Sequence, residues 1–457
     1  QRSGKMRAAS SSYYGQACVN SAFAFHFVPV ALALTIAASA HCEPFEATQA
    51  RFQATYVWQV KPAFGAAYSG PHSLSADRER SYSFTATAAL GMRPWKDAEV
   101  YFDPELASGL PLSNLTGLGG FTNGEIARTS GRDLKAYRAR LFLRQTWGLG
   151  GGTQQIESDQ NQMAGLVDKR RVVATAGNFS ALDLFDNNAY SHDPRRQFLN
   201  WSLMTHGAYD YAADARGYSW GAALEYFADP WVFRVGRFIE PRESNGLRLD
   251  PRIMRHYGDQ VEIEHGHTLF AQPGRVRVLA YRNRAVMGSF REALAQAALT
   301  GATPDLAVTR THERVKYGLG VNLEQALTDA IGLFARASWN NGQTETFAFT
   351  EIDRSVSAGL SVKGLAWQRP LDNVGIAIAR NGLSGAHRDY LAAGGLGFFL
   401  GDGRLNYRPE TIAEAYYGFS LGSRVRLSLD YQRIHHPGYN ADRGPVSIAS
   451  VRLHTEF

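Results

Sequence analysis

The sequence has few cysteines and, beyond residue 40, no long apolar run. Its two cysteines are Cys18 and Cys42, so the chain after residue 42 has neither a disulfide framework nor a thiolate metal site. A transmembrane helix needs about 20 predominantly apolar residues in succession, and no stretch after residue 40 supplies them. The remaining chain is therefore either soluble or crosses a membrane with β-strands.

The first 40 residues are predicted to form a signal peptide and N-terminal extension. Lys5 and Arg7 precede an apolar run at 27–37, and the small residues at 38–40, Ala-Ser-Ala, follow it. A basic region, an apolar region and a small-residue cleavage site make up a secretory signal. We expect cleavage near Ala40 and a single domain formed by residues 41–457.

The end of the chain shows the clearest structural pattern. In residues 446–457, VSIASVRLHTEF, apolar and polar residues alternate, and the chain ends on Phe457. Such alternation predicts a β-strand with one apolar face, and an aromatic end suits a strand anchored at a lipid–water interface. Similar alternation recurs in fifteen more segments: 51–59, 81–90, 96–103, 137–145, 170–178, 219–227, 231–239, 257–267, 274–284, 317–324, 331–340, 351–363, 373–381, 410–421 and 424–433.

The connections between these sixteen segments alternate in length, as in a barrel whose long loops lie on one side. Single-chain bacterial barrels have an even number of strands, short periplasmic turns and long extracellular loops. One connection breaks the rule: 149–169 falls on the periplasmic side yet is long. Either one strand is miscounted there, or the barrel has a periplasmic insertion.

The distribution of aromatic and basic residues favours a barrel over a soluble sandwich. The apolar faces have aromatic residues near their ends, where interfacial girdles belong, whereas the opposite faces contain arginines that a sandwich core would bury unpaired. We therefore predict an all-β, transmembrane antiparallel β-barrel of about 16 strands, of the outer-membrane porin type, in contact with outer-membrane lipid. The girdle residues are Tyr56, Trp58, Tyr82, Trp220, Trp231, Trp339 and Phe457.

Several segments resemble members of the carbohydrate-selective porin family. They include residues 99–125, EVYFDPELASGLPLSNLTGLGGFTNGE, residues 203–221, LMTHGAYDYAADARGYSWG, and residues 401–410, GDGRLNYRPE. Segments 51–71 and 439–445 are also similar, so the resemblance covers essentially all of the chain after the signal. It implies a sixteen-stranded barrel in the Gram-negative outer membrane that lets mono- and oligosaccharides diffuse into the periplasm.

The predicted lumen contains charged side chains that could order a polar solute. Facing arginines and glutamates would set a transverse field and supply hydrogen bonds that replace water. The alternative is that these charges pair with each other and stiffen the wall. The candidate substrate-binding residues are Arg138, Arg140, Arg144, Arg234, Glu262, Glu264, Arg275, Arg277, Arg336, Arg424 and Arg426.

Two long connections are candidates for a constriction. Segment 104–136 contains several leucines and a glycine-rich turn, so it is apolar enough to fold into the barrel rather than lie exposed. Segment 179–215 combines carboxylates and amides with two arginines and a tyrosine. Either segment could instead be a surface lid. The polar residues of the second are Asp183, Asp186, Asn187, Asn188, Tyr190, Arg195 and Arg196.

The patterns typical of enzymes and metal sites are weak. His265 with His267, and His435 with His436, have spacing seen in metal sites but fall at strand ends. Ser191-His192 could serve a barrel hydrolase that acts on lipid, which is the alternative function we consider, together with an accessory barrel for polysaccharide export. We predict no enzyme activity, metal or cofactor.

Partners follow from the predicted membrane location. We expect the C-terminal strand ending at Phe457 to be recognised by the barrel-assembly machinery, and a homo-oligomer is possible. The arginines alternate with apolar residues on strands, so nucleic-acid binding is not expected.

Overall fold

The computed structural model describes residues 45–126 and 131–457. The predicted signal peptide and its cleavage site lie outside the described residues. The described part forms a closed antiparallel barrel of sixteen strands and a separate two-stranded hairpin. The barrel strands are β1 Thr48–Lys61, β2 Glu79–Met92, β3 Ala98–Leu110, β4 Gly131–Gly148, β7 Arg171–Phe179, β8 Ser219–Ala228, β9 Trp231–Ile239, β10 Tyr257–Leu269, β11 Gln272–Val286, β12 Glu313–Ala326, β13 Ile331–Asn340, β14 Arg354–Gly364, β15 Arg369–Gly382, β16 Glu410–Leu421, β17 Val425–His435 and β18 Val446–Glu456; the hairpin strands are β5 Thr153–Ile156 and β6 Gly165–Asp168.

Helices are short and lie in the connections. The α-helices are α1 Trp201–Met204, α2 Phe290–Thr300 and α3 Gly385–Ala392, and 3₁₀ turns occur at Leu112–Leu115, Ala181–Asp183, Ala307–Thr309, Leu365–Trp367 and Pro437–Tyr439. Among residues 45–126 and 131–457, no helix combines the length and apolar composition needed to cross a bilayer.

The first and last strands close the barrel. β1 pairs antiparallel with β18, with Val57 opposite Arg452. The terminal residue extends this pairing, because Phe52 and Phe457 exchange backbone hydrogen bonds of 3.0 and 2.8 Å. The predicted closing strand is confirmed, and closure leaves the sheet without an unpaired edge.

The side chains along each strand alternate between a buried inner face and an exposed outer face. On β18, Arg452 and His454 are buried, whereas Val451 and Leu453 are exposed. Large apolar side chains are exposed around the whole barrel, and aromatic residues lie near both ends of the strands, such as Trp339 at one end and Trp231 at the other. An apolar outer surface between aromatic girdles suits a lipid environment, as predicted.

Long and short connections lie at opposite ends of the barrel. One end has connections such as 180–218, 287–312 and 383–409, and the other has tight turns such as 229–230 and 270–271. Connection 149–170 is the exception and contains the β5–β6 hairpin. Since β4 pairs directly with β7 and sixteen strands close without the hairpin, it is an insertion at the short-turn end and not a miscounted strand.

The long connections fill much of the barrel interior. Phe121, Trp201, Phe349 and Phe399 come from four different connections and pack together, with Trp201 and Phe349 stacked at 4.7 Å between ring centroids. Both segments predicted as constriction elements therefore fold inward. The first is shorter than predicted, because β3 continues past Pro104 to Leu110 and β4 begins at Gly131.

Candidate functional site: the interior of the barrel

Ion pairs run across the inner wall formed by β8 to β12. Arg234 contacts Glu225, Glu262 and Glu264, each at 2.9 Å. These partners lie on strands next to β9, because period-two alternation points one residue in two of each strand into the same lumen. Arg234 therefore faces inward, as predicted, but its charge is fully matched by carboxylates.

The same row of ion pairs continues to β12. Arg277 contacts Glu264 at 3.0 Å and Glu324 at 3.2 Å, and only 2 % of its side chain is exposed. Arg275 contacts the same two carboxylates at 3.5 and 3.8 Å, but 55 % of its side chain is exposed. Arg275 can therefore contact a solute, whereas Arg277 is held within the barrel wall by its ion pairs.

Asp186 fixes the inward-folded segment 180–218 to the wall. Arg336 on β13 donates to the Asp186 carboxylate at 3.0 Å and to the carbonyls of Leu203 and Ser191 at 2.8 and 2.6 Å. Glu262 accepts the Asp186 backbone N–H at 2.7 Å. Arg336 and Glu262 are 4 % and 0 % exposed, so they position the segment and do not reach a solute in this structure.

Burial would raise the pKa of the Asp186 carboxyl, but the Arg336 guanidinium and the hydrogen bonds from the Thr205 hydroxyl and the His206 backbone N–H outweigh it and hold the pKa well below its usual range. Burial lowers the pKa of His206 to about 4. The His206 ring packs over Gly320 of β12, where a Cβ atom would come within 2.5 Å of the ring Nε2. Segment 180–218 therefore docks on the wall at a point formed by the charged Asp186, the neutral His206 and Gly320.

An open cavity of ≈ 360 Å³ runs between segment 180–218 and strands β1 to β4. Arg195 lies in it, 2.9 Å from Glu125 and 3.6 Å from Glu105. Burial would lower the pKa of Arg195, but the two carboxylates raise it above its ordinary value. Hydroxyls from β2 complete the group, since Thr85 donates to Glu125 at 2.7 Å and Thr87 donates to Glu105 at 2.6 Å.

Aromatic rings lie beside these charges in the same cavity. The Tyr137 hydroxyl donates to Glu105, and the Tyr137 and Tyr218 rings lie 6.4 Å apart. Arg140 stacks over Tyr218 at 5.3 Å and forms an ion pair of 2.6 Å with Asp183. Arg140 therefore faces the lumen, as predicted, and borders a surface with both hydrogen-bonding groups and ring faces.

A second cavity of ≈ 940 Å³ lies at the short-turn end. The insertion forms one wall, with Gln154 and Met163, and the inner barrel face forms the other, with Arg144, Arg234 and Arg275. Arg144 contacts Glu99 at 3.3 Å and the Asn161 carbonyl of the insertion at 2.9 Å. Asp183 lines both cavities, so the Arg140–Asp183 pair lies at the boundary between them.

The prediction that Arg138 faces the lumen is wrong. Its guanidinium lies 5.0 Å from the ring centre of Trp220, which is on the exposed outer face of β8. The cause is a β-bulge: Asp103 pairs with Arg140 and the next residue of β3, Pro104, pairs with Arg138, so Ala139 is an extra residue. A bulge reverses the alternation beyond it, and Tyr137 takes the inward position.

Arg424 does not face the lumen either. It lies in the exposed turn between β16 and β17, with its guanidinium 5.9 Å from the Phe457 ring centre. The predicted segment 424–433 begins one residue before β17, and a residue in a turn does not follow the alternation of a strand. Arg426 does point inward, where it donates to Asn373 at 2.6 Å and to the Leu371 carbonyl at 3.1 Å, at the short-turn end.

Glu125, Tyr137 and Tyr218 line the first cavity but were not among the predicted site residues. The bulge shifts the alternation, so the sequence pattern does not reveal that Tyr137 faces inward. Glu125 and Tyr218 lie in connections, which have no periodic pattern. Pro104 is the sequence signal that could have revealed the bulge, because proline lacks the N–H needed in a central strand and is found at bulges.

The sequence patterns considered for catalysis and metal binding have other roles. The Ser191 hydroxyl is buried inside the barrel and donates to the Leu203 carbonyl at 2.7 Å, so it is not on the lipid face. His265 packs against Trp231, and His267 contacts Gln325 at 2.9 Å. In the described ranges, no group of three or more His, Cys, Asp or Glu residues could hold a metal ion.

Comparison with known proteins assigns this architecture to a family. The chain matches the model of the carbohydrate-selective porin, OprB family, over residues 76–457. The high-pH structure of Pseudomonas putida OprB is similar with a TM-score of 0.67 and 18 % identity, over 90 % of this chain and 94 % of that one. The low-pH structure of the same protein gives 0.47 and 16 %, over 89 % and 92 %. No curated protein matches the chain. A family match across most of the sequence, on a closed sixteen-stranded barrel, shows that the chain belongs to the carbohydrate-selective porin family.

Proposed function

We infer that the chain, whose family and barrel fold are those of a carbohydrate porin, acts as a channel rather than as an enzyme. We propose that sugars cross it by diffusion along the first cavity and then the second, passing the Arg140–Asp183 boundary. The observation that carries this path is the pairing of charged groups with aromatic rings in one cavity, at Arg195, Glu105, Tyr137 and Tyr218. A sugar offers hydroxyls to the first kind of group and apolar C–H faces to the second.

Among the predicted residues, Arg140, Arg144, Arg234, Glu264 and Arg275 line the two cavities and are the proposed solute contacts. Their ion pairs compensate most of the local charge, so the path favours neutral polar solutes over ions of one sign. Diffusion follows the concentration gradient of the solute, so uptake and export would use the same path. Recognition of the Phe457 end by the assembly machinery, and a homo-oligomeric state, stay predictions.

Liposome swelling tests the proposal. Vesicles containing the folded chain should swell in iso-osmotic glucose faster than vesicles without protein. Tyr218→Ala should change the swelling rate in glucose relative to that in glycerol, because it removes a ring from the path, whereas Tyr226→Ala on the lipid face should not. Equal swelling with and without protein would contradict a sugar channel. An unchanged ratio in Tyr218→Ala would contradict this path alone.

A further inference from the structure

A basic groove lies on the outer face of the barrel, near the end with the long loops. It has a volume of ≈ 510 Å³ and is formed by β12 to β15 and the connection before β16. Two arginines line it: Arg354, the first residue of β14, and Arg380, near the end of β15. Both residues are exposed on the lipid-facing side, where arginine is costly unless its charge is compensated.

The two guanidinium groups can reach one ligand. Arg380 is directly opposite Val356 in the β14–β15 pairing, and Arg354 is two residues before Val356 on the same face. Diagonal positions of this kind have Cα atoms about 7–8 Å apart, within the reach of two long side chains. Neither guanidinium has a hydrogen-bond or ion-pair partner among the described residues.

The charge in the groove is not balanced by the protein. No aspartate or glutamate is among the described residues that line it. Two other arginines at this end of the barrel are paired with carboxylates: Arg237 contacts Asp259 at 2.6 Å and Arg255 contacts Glu313 at 2.5 Å. The groove therefore brings together two positive charges that no carboxylate among its described lining residues balances.

The groove continues from the arginines onto an apolar surface. Trp339 is directly opposite Arg354 in the β13–β14 pairing, and Leu319 is opposite Trp339 in turn. Trp339, Val321 and Val356 line the groove and are exposed. Tryptophan marks the interface between headgroups and acyl chains, so the arginines lie at headgroup depth and the aliphatic side chains extend toward the hydrocarbon.

We propose that this groove binds a phosphorylated lipid of the outer leaflet, a glycolipid of the lipid A type, with its phosphate held by Arg354 and Arg380 and an acyl chain along Trp339 and Val321. Arginine suits this role because its planar fork binds phosphate oxygens in pairs. The proposal rests on the outer-membrane location of the chain and not on which solute crosses the pore.

Native mass spectrometry of the folded full-length barrel, released from detergent and titrated with lipid A, tests the site. Arg354→Gln with Arg380→Gln should weaken lipid A binding about thirtyfold, since each basic residue near an anionic surface contributes about 1 kcal/mol, or about fivefold. The matched control, Arg237→Gln with Arg255→Gln, removes two charges from the same rim and should leave binding unchanged. Wild-type protein should bind dephosphorylated lipid A as weakly as the groove variant binds lipid A.

Four results would overturn the proposal. The first is equal lipid A binding by the groove variant and the wild type, with both barrels resisting SDS at room temperature as folded porins do. The second is equal binding of the dephosphorylated lipid. The third is a dimer that dissociates in the groove variant while no lipid is retained, because the groove would then be a contact between two copies of the chain. Addition of inorganic phosphate separates the two phosphate sources: free phosphate at millimolar concentration should not displace the lipid, and displacement would overturn the assignment to a lipid.

Discussion

At the scale of single residues, most lumen charges of this porin serve its own architecture. Arg336, Arg277 and Glu262 are almost completely buried among protein partners. Burying a charge is costly unless it is paired and hydrogen-bonded, and each of these groups is. Charges that a solute can reach are confined to the cavities, where Arg195 and Arg275 remain partly exposed. Facing the lumen is therefore necessary for contact with a solute but not sufficient.

Arg195 is expected to control the ion preference of the pore. In Arg195→Gln the carboxylates of Glu105 and Glu125 lose their cation, so the cavity becomes more negative and favours cations. A unit charge at about 4 Å contributes about 1 kcal/mol even in bulk water, or about fivefold in the local ion concentration. The reversal potential in a KCl gradient should shift toward cation selectivity.

Arg138→Gln is the matched control for that measurement. It removes the same charge from the same half of the barrel, but from the outer face. Its reversal potential should equal that of the wild type. A shift of the same size in both variants would mean that the net charge of the protein, and not Arg195 in the cavity, sets the selectivity.

A second residue-scale prediction concerns pH. His206 has a folded pKa of about 4 against 6.5 in a model compound, so the folded state keeps it neutral while the unfolded state binds a proton as the pH falls below 6.5. Its contribution to stability is complete above pH 6.5 and is lost as the pH falls toward 4, up to about 3 kcal/mol. The melting temperature should fall over this range, and His206→Asn should fall less.

His312→Asn is the control for the pH effect, because His312 is exposed in the connection before β12. Its melting temperature should follow the wild-type curve between pH 6.5 and 4. If His206→Asn and the wild type showed parallel curves over that range, other groups would account for the acid sensitivity.

At the scale of strands and connections, alternation in the sequence defined the strands well. All sixteen barrel strands were predicted, because a strand that separates lipid from water must alternate at every position. Irregularities were not visible in the same way. The bulge at Ala139 turns Arg138 to the outer face, and β17 begins at Val425, one residue after Arg424. The inward folding of segment 104–136 was predicted from its apolar residues, but the positions at which the connections dock were not predicted.

Docking could not be predicted because it joins residues that are distant in sequence. The Asp186–Arg336 contact joins residues 150 positions apart, and nothing in a single sequence connects them. The inner face does contain one sequence feature that reflects docking, namely glycine. His206 packs against Gly320 and Tyr190 packs against Gly332, and a Cβ atom at either glycine would come within 2.5 Å of a ring atom. Inward glycines on a strand can thus indicate where a connection is seated.

The insertion with the β5–β6 hairpin is expected to narrow the exit of the pore. Replacing residues 149–170 with an Asn-Gly turn keeps the β4–β7 pairing, since Gly148 already faces Arg171 across the strands. It removes one wall of the second cavity, so the single-channel conductance should increase. Leu166→Ser is the control, because this exposed hairpin residue does not line the cavity, and a conductance equal to wild type in both variants would contradict the role of the insertion.

At the scale of the whole molecule, the barrel separates two tasks. The outer face interacts with lipid through apolar and aromatic side chains, and the inner face holds connections that reduce a wide cylinder to two cavities, both of which Asp183 lines. This division explains why the fold was predictable from the sequence and the path of the solute was not. The fold follows from a repeating pattern, whereas the path depends on how a few long segments pack inside.

The proposed path requires that solutes pass Asp183 between the two cavities. Asp183→Cys, in a chain with Cys18→Ser and Cys42→Ser, places the one thiol at that point, where 27 % of the aspartate side chain is exposed. A bulky methanethiosulfonate reagent should then abolish both single-channel conductance and glucose-driven swelling, and should have no effect on Leu224→Cys, which faces lipid. Full conductance and full glucose swelling after complete labelling of the Asp183→Cys variant would contradict the account.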